Sequence, residues 1–599
     1  MAEDNPLLSD RHVAFMLHEV LDAQSLCALP YFAEHSRETF DLFVGACAKL
    51  SREALLPAYK SMDEEAAHFE DGRVHTHPVM RELYPQMVEL GMLTAVRPFD
   101  VDGQQMPLTV ASSGFAYAMA ANLSAFGFCM LTTGAAHLIE SFGSETLKRD
   151  YMRKMYSGEW TGTMALTEPG AGSSLGDLRT RARPTEQGHY LIDGAKVFIS
   201  GGDNSLSENI VHLALARIEG APAGSRGISL FAVPRLRIQD GALVPNDVQA
   251  AGTFHKLGWR GIPSIALNFG DGGDCHGYLV GEPHKGLSYM FQMMNEARIH
   301  IGLHAVATAA VAYQESLEYA RTRPQGRLPG MAADEPPVPI IQHPDVRRML
   351  LRQKAIVEGG LALVLATARY ADLSLHAVDD TQRERASAML ELLTPITKTF
   401  PSEKGFESNA LAVQIHGGYG YTSEYLPEAW LRDQKLNSIH EGTTGIQSMD
   451  LLGRKVLKTG GASVTTLADE IEPSLERARS SAHLASHAGA LETALARVRE
   501  VSEQLLGTAM ENPMAALSHS VDYLDMLATL VIGWQWLEMA TAAQRGLNAS
   551  PGDADALFYD GKLRAAAYWM RTELPRVAAL ADLCVSCEDS FSGMDPESF

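Results

Sequence analysis

Hydrophobic periodicity switches twice along this chain, near Trp160 and again near Gly286. Between those points, short runs of alternating or β-branched residues recur at 161–166, 189–200, 210–218, 227–238 and 265–269. Turn chemistry separates them: Pro-Gly-Ala-Gly, Asp-Gly, Gly-Gly-Asp-Asn and Gly-Ala-Pro-Ala-Gly. Runs of this length, with no helix-length pattern between them, predict an antiparallel sandwich or barrel. Before Trp160 apolar residues such as Leu17, Val20, Leu21, Phe40, Phe43, Val44, Cys47 and Leu50 recur at three- and four-residue spacing, which predicts amphipathic helices. Helical periodicity returns after Gly286 and continues to the end. A chain of 599 residues exceeds one hydrophobic core. The expected fold is therefore α+β, mostly α. It comprises an N-terminal helical extension (1–60), an N-terminal helical domain (61–160), a middle antiparallel β domain (161–282), a helical bundle (283–457) and an extra C-terminal helical domain (465–599). The polar stretch 70–77 reads as a loop, and 328–339, with four prolines, as a surface excursion between helices. Lys-Thr-Gly-Gly-Ala-Ser (458–463) reads as a linker.

The net charge of −23 speaks against nucleic acid, which demands a basic footprint. Residues 103–139 contain no Asp, Glu, Lys or Arg, but polar side chains recur among them, so a buried helix pair is expected rather than a membrane span. The first residues are acidic and lack the basic and apolar regions of a signal peptide. Six scattered cysteines fit a reducing compartment, and a cytoplasmic protein is expected. Cys584-Val-Ser-Cys587 has no second Cys/His pair nearby and reads as structural, so no metal site is expected.

Four stretches carry residue types suited to chemistry. Leu-Thr-Glu-Pro-Gly-Ala-Gly-Ser (166–173) leaves a strand for a Gly-rich turn whose N–H groups and hydroxyls suit a flat heterocycle or a phosphate. On spacing alone a plain β-turn explains it equally well, and it lacks the helix of a dinucleotide fingerprint. Lys-Val-Phe-Ile-Ser-Gly-Gly (196–202) ends a strand, and core packing is its default explanation. Arg321, Arg323 and Arg327 gather near a helix end, with Arg298 earlier in the chain, and guanidinium groups suit phosphate. A solvated helix terminus is the alternative. Finally, Gln-Ile-His-Gly-Gly-Tyr-Gly-Tyr (414–421) precedes Ile-His-Glu-Gly-Thr-Thr-Gly-Ile-Gln (439–447), where Glu441 stands just before a helix. A carboxylate there can also be a mere helix cap.

Taken in order, Leu-Thr-Glu-Pro-Gly-Ala-Gly-Ser, Phe-Ile-Ser, Tyr-Ala-x-x-Arg-x-Gln, Gln-Ile-His-Gly-Gly-Tyr-Gly and Glu-Gly-Thr resemble the acyl-CoA dehydrogenase family across residues 60–455. The chain is similar to a longer subgroup with extra N- and C-terminal helical segments, some of whose members act on 3-methylmercaptopropionyl-CoA. The resemblance implies FAD as cofactor, with Leu166, Thr167, Gly172, Ser173, Phe198, Ile199 and Ser200 near the flavin. It implies that Arg323, with Gln414, Gly417 and Gly418 from the neighbouring subunit, holds the pyrophosphate and adenine end, so a homodimer or larger assembly follows. Thr443 is implied as a further cofactor contact, and Ser173, Asn295, Arg298 and Gly442 as substrate contacts.

By the same resemblance Glu441 is the catalytic base that takes the α-proton of an acyl-CoA thioester, giving the trans-2-enoyl-CoA, while electrons pass through FAD to an electron-transfer flavoprotein. Burial would raise the carboxylate into its working range. Some relatives place the base immediately before the arginine matched by Arg298; here that residue is Ala297, and Glu296 points about 100° away on a helix. The chain departs from the family pattern at Ser174, Gly326, Arg327, Gly445 and the proline-rich insertion. An acyl-CoA oxidase, or a flavin-binding scaffold without turnover, are the alternative readings.

Overall fold

The computed structural model describes residues 5–599, the side chains of 291–294 excepted; the leader reading of residues 1–4 falls outside it. The described chain divides into two compact units. One comprises residues 40–106 and 117–297, the other residues 5–39, 107–116 and 298–599.

In the first unit, helices α1 (Leu56–Glu64) and α2 (Met80–Glu89) flank a hairpin, β1 (His68–Glu70) with β2 (Arg73–His75). The loop expected at 70–77 is thus corrected. Asp71 and Gly72 both take positive φ, 50° and 77°, the two-residue turn that matches strand twist and favours Asp-Gly. Helix α3 (Leu108–Phe142), of which residues 117–142 belong to this unit, is long and apolar enough to cross a membrane by length and composition. Protein buries 89% of its most apolar window. Asn122 breaks it with φ −160° and ψ 84°; its Oδ1 accepts from Ala125 N and its Nδ2 donates to Leu55 O.

The strands follow in order: β3 (Thr161–Ala165), β4 (Arg181–Pro184), β5 (Tyr190–Ser200), β6 (Ile210–Ile218), β7 (Ile228–Pro234), β8 (Leu236–Gln239), β9 (Ala242–Pro245), β10 (Val248–Thr253), β11 (Ser264–Phe269) and β12 (His276–Leu279). Eight of them form one sheet of order β10-β11-β5-β12-β7-β6-β3, with β4 paired to β5 and β6, while β8 and β9 make a separate ribbon. Most pairings are antiparallel, but β3 and β4 each run parallel to β6. Parallel neighbours need a long crossover, and the excursion 166–209 supplies one for β3. Strands β6 and β7 are buried on both faces. Val211, Leu213, Leu215 and Leu230 pack with Ala135, Leu138 and Ile139 of α3, while Ala214, Phe231 and Val233 pack with Ile192, Ile199 and Phe269. That two-sided burial explains their near-continuous apolar runs, interrupted only by His212 and Ser229 before Arg217 ends the run in β6.

The second unit is helical. It contains residues 298–322 of α4 (Gly286–Thr322), then α5 (Pro344–His376) and α6 (Asp380–His416), α7 (Pro427–Lys435) and α8 (Thr444–Met449). It continues through α9 (Ala462–Arg479), α10 (Ala485–Glu511), α11 (Ser520–Asn548), α12 (Asp553–Tyr568) and α13 (Arg576–Ser586). Helices α5 and α6 are fastened by Thr367 Oγ1 to Thr397 Oγ1 at 2.7 Å and by Gln353 Nε2 donating to Ser408 O at 2.9 Å. A Cβ on Gly302 would lie 2.2 Å from Thr397 O, so only glycine lets α4 pass this close to α6. Pro401 lacks the N–H that would normally meet that same carbonyl.

The stretch 323–340 leaves α4 as an exposed excursion closed at its base, where Ile340 N donates to Arg323 O at 2.9 Å and Gln325 N to Val338 O at 2.9 Å. Near the N-terminus, helix Asp10–Phe15 seats Phe15 against Phe558 of α12. Its His12 Nδ1 accepts from the buried Lys562 ammonium, which also pairs with Glu358 of α5 at 2.8 Å. Trp536 of α11 donates to Ala355 O at 3.1 Å, so the C-terminal helices pack directly on the bundle. Cys584 is buried with Sγ against His519 O, and all six cysteines are free.

Candidate functional site

In the first unit, two of the motifs meet at one end of the sheet. Val197 N donates to Thr167 O at 2.9 Å, joining β5 to the turn that follows β3. Beneath that join lies a buried ion pair that sequence reading passed over. Lys196, fully buried, reaches Glu168 at 2.8 Å and also donates to Leu166 O at 3.1 Å. Glu168 accepts further from Arg179 N, Thr180 N and Thr180 Oγ1. Burial opposes the Glu168 charge, but Lys196 and these donors hold its carboxyl below the usual range. The pair fixes the turn that carries Leu166 and Thr167, both half-buried.

Beyond it the turn opens outward. A Cβ on Gly170 or Gly172 would meet nothing within 4 Å, and Ser173 is exposed. Phe198 takes φ 60° and stands 61% exposed, unusual for an aromatic at a strand end, with Phe254 at 4.6 Å between ring centroids. Its neighbour Ile199 is 2% exposed and belongs to the β core, so any ligand contact there falls to its backbone. Ser200 and Asn295 are half-buried. Glu296 pairs with Arg97 at 3.3 Å and with His137 at 3.4 Å. An exposed aromatic beside an open glycine turn suits a flat, polar-edged ring.

In the second unit, Glu441 sits on the turn between α7 and α8. It adopts φ 52°, costly for a residue with a Cβ, and Gly442 follows with φ 91°. Both carbonyls of this turn are held: Gln447 Nε2 donates to Glu441 O at 3.0 Å and Lys398 Nζ to Gly442 O at 2.8 Å. A Cβ on Gly442 would lie 2.7 Å from Gln447 Nε2. The helix-capping alternative for Glu441 fails, because Thr443 Oγ1 accepts from Ile446 N and is itself the cap. Thr443 therefore already has a structural task.

Glu441 keeps solvent-accessible surface, yet dense protein surrounds it. Burial pushes its pKa upward, while Arg298 and Lys398 pull it back. Arg298 is 5% exposed and bonded to Asp450 at 2.7 Å, so it acts here as a buried cation whose charge is shared with a carboxylate. Lys398 and Asp450 escaped sequence reading. The available signal was a lone charge in the otherwise uncharged run 392–402, bounded by Pro395 and Pro401.

A third group lies elsewhere in the second unit. Arg323, at the end of α4, stands over the Tyr419 ring at 5.5 Å, and Tyr319 stacks on His416 at 4.3 Å. Gln414, Gly417 and Gly418 are exposed beside them, and a Cβ on either glycine would meet nothing within 4 Å. Arg323 and this turn are thus neighbours within one chain.

Comparison with known proteins settles the family. Residues 41–159, 163–271 and 284–457 match the N-terminal, middle and C-terminal domains of acyl-CoA dehydrogenases, and residues 467–595 match the acetyl-CoA dehydrogenase C-terminal-like domain. A 3-methylmercaptopropionyl-CoA dehydrogenase of Ruegeria pomeroyi is 39% identical over 91% of this chain and 92% of its own. A butyryl-CoA dehydrogenase of Syntrophomonas wolfei is 33% identical over the whole of both. A Bacillus anthracis acyl-CoA dehydrogenase, solved with FAD, shares the fold with TM-score 0.74 at 21% identity, covering 94% of this chain and 90% of that one. The chain belongs to the acyl-CoA dehydrogenase family, a family of FAD-dependent oxidoreductases acting on acyl-CoA.

Proposed function

We propose that this protein is an FAD-dependent dehydrogenase of short- to medium-chain acyl-CoA thioesters, with Glu441 as its base. The observation that carries the reading is Glu441 itself: accessible, desolvated and held on a strained turn by two buried donors. A thioester α-proton is weakly acidic, so the acceptor must be positioned and its pKa raised towards the working pH. Bound FAD supplies the two-electron acceptor for the β-hydrogen. The exposed Phe198, the open turn at Gly172 and Ser173, and Leu166, Thr167 and Ser200 suit its ring system. The backbone of Ile199 would add to that surface. Arg323 with Gln414, Gly417 and Gly418 suits its pyrophosphate and adenine end in a homodimer or larger assembly. Thr443, Asn295, Arg298 and Gly442 remain the proposed positions around cofactor and thioester, with Arg298 acting through charge.

The names of the two relatives make 3-methylmercaptopropionyl-CoA and butyryl-CoA the first substrates to test, with an electron-transfer flavoprotein as the physiological acceptor. Free cysteines fit a cytoplasmic setting. Glu441→Gln should keep FAD and the fold while lowering turnover on the order of 10²–10⁴-fold, the range of a general base. Near wild-type turnover in that variant refutes the assignment. Steady hydrogen peroxide production, with acyl-CoA as sole reductant, would show an oxidase instead.

A further inference from the structure

The geometry assigns Lys398 as a positioning residue for the base: its ammonium fastens the Glu441–Gly442 turn through the Gly442 carbonyl and places a fixed positive charge beside the carboxylate. This rests on the reading of Glu441 as base.

Three observations support it. Lys398 is completely buried on α6, where Pro395 and Pro401 bracket it, and its Nζ lies 2.8 Å from Gly442 O. The companion carbonyl, Glu441 O, is held by a neutral donor, Gln447. A neutral side chain therefore suffices to brace this turn, and a buried cation on the adjacent carbonyl adds a desolvated charge that bracing alone does not require. Among the described residues Lys398 forms no ion pair within 4 Å, whereas Arg298 is matched by Asp450 at 2.7 Å and Lys455 by Glu391. The Lys398 charge is thus the less neutralised of the two cations near Glu441.

The charged and titratable surroundings act in a consistent direction. Burial lowers the Lys398 ammonium to about 8, with Glu403 and Glu441 opposing and Arg298 adding to the fall. Glu403 on α6 is engaged by the Thr444 hydroxyl. His440, beside the base, is kept neutral by burial and by Lys398, so it contributes no charge near neutral pH. Asp450 and Arg454, one turn apart on the π-helical stretch that continues α8 (Asp450–Leu457), pair with each other at 3.3 Å. A cation fixed here stabilises the ionised form of Glu441 and holds its pKa below the value that burial alone would give.

The test compares Lys398→Met, Lys398→Arg, Gln447→Leu and Glu441→Gln as FAD-loaded enzymes, using butyryl-CoA or 3-methylmercaptopropionyl-CoA with an artificial electron acceptor. The pH profile of kcat reports the ionisation of the bound complex. Lys398→Met should retain FAD, lower kcat on the order of 10-fold to 100-fold with little change in KM, and move the acidic limb up by about one pH unit. Gln447→Leu should lower kcat without moving the limb, because it removes a brace and no charge. If Lys398→Met does not accumulate as a flavoprotein, Lys398→Arg carries the test: it keeps the charge, so the limb should stay in place while kcat falls. A wild-type limb in Lys398→Met, or a shifted limb in Lys398→Arg, overturns the inference. In either case an inactive Glu441→Gln shows that the base assignment still stands, whereas an active one shows that it was the base assignment that failed.

Discussion

Replacing Lys196 by methionine would test how the two motifs proposed to face the flavin are held together. The ammonium is 0% and its partner carboxylate 5% exposed, so solvent screening is slight and no discount for exposure applies. Breaking a buried pair by removing one partner costs about 3–5 kcal/mol, because the remaining charge is left uncompensated. Glu168 would still accept from Arg179 N, Thr180 N and Thr180 Oγ1, which places the expected loss at the lower end, about 3 kcal/mol. The reciprocal change, Glu168→Gln, should cost less, about 1–2 kcal/mol. Burial already drives the Lys196 ammonium towards its neutral form, so it can shed its proton, whereas Glu168 is held charged by its donors. The assay is urea unfolding followed through the tryptophan signal, to which Trp160, buried in the β core, contributes, combined with FAD retention on gel filtration. Lys196→Met should release FAD more readily, since Leu166 O and the turn carrying Thr167 lose their anchor. The reasoning is refuted if Lys196→Met loses less than about 1 kcal/mol, or if Glu168→Gln proves the more damaging of the two. A double variant no less stable than Lys196→Met alone is also expected, because the orphaned carboxylate is then gone.

Gly442→Ala should lower kcat about 10-fold or more with FAD still bound, because the new Cβ meets Gln447 Nε2 at 2.7 Å and φ 91° disfavours a side chain; steady-state kinetics check it. Asp372, buried on α5, accepts from Leu108 N, Thr109 N and Thr109 Oγ1, all in the second unit. Asp372→Leu orphans these donors and should cost on the order of 3 kcal/mol in urea unfolding.

The helical and β segments were legible because period alone distinguishes them, and two-sided burial of β6 and β7 is visible as near-continuous apolar sequence. What escaped was set by partners distant in sequence. The parallel placement of β3 beside β6 depends on a crossover whose course no local pattern records. The hairpin at Asp71-Gly72 was in principle readable from its turn residues, but β1 is exposed throughout and β2 turns only Val74 into the core, too short an alternation to register. Of the candidate site, Glu441, Phe198 and Arg323 stood out as residue types in motifs. Their orientations did not: Ile199 turns into the core beside Phe198, and Arg298 is spent on Asp450.

The overlooked residues share one physical design. Lys196 and Lys398 are each completely buried, and each donates to the backbone carbonyl of a turn that bears proposed site residues: Leu166 O in one case, Gly442 O in the other. Lysine suits this task because its long stem spans from a rigid strand or helix to an irregular loop while three donors remain at its tip. A loop that must present a side chain in an unfavourable conformation, as the Glu441 turn does with φ 52°, cannot rely on its own hydrogen bonds to stay there. An anchor from the scaffold over-determines it. Sequence reading treats lysine as surface charge, which is the usual outcome, and so discounts the anchors that make such loops possible. A solitary lysine in an uncharged stretch of strand or helix, as at 398, is the pattern that distinguishes an anchor from a solvated charge.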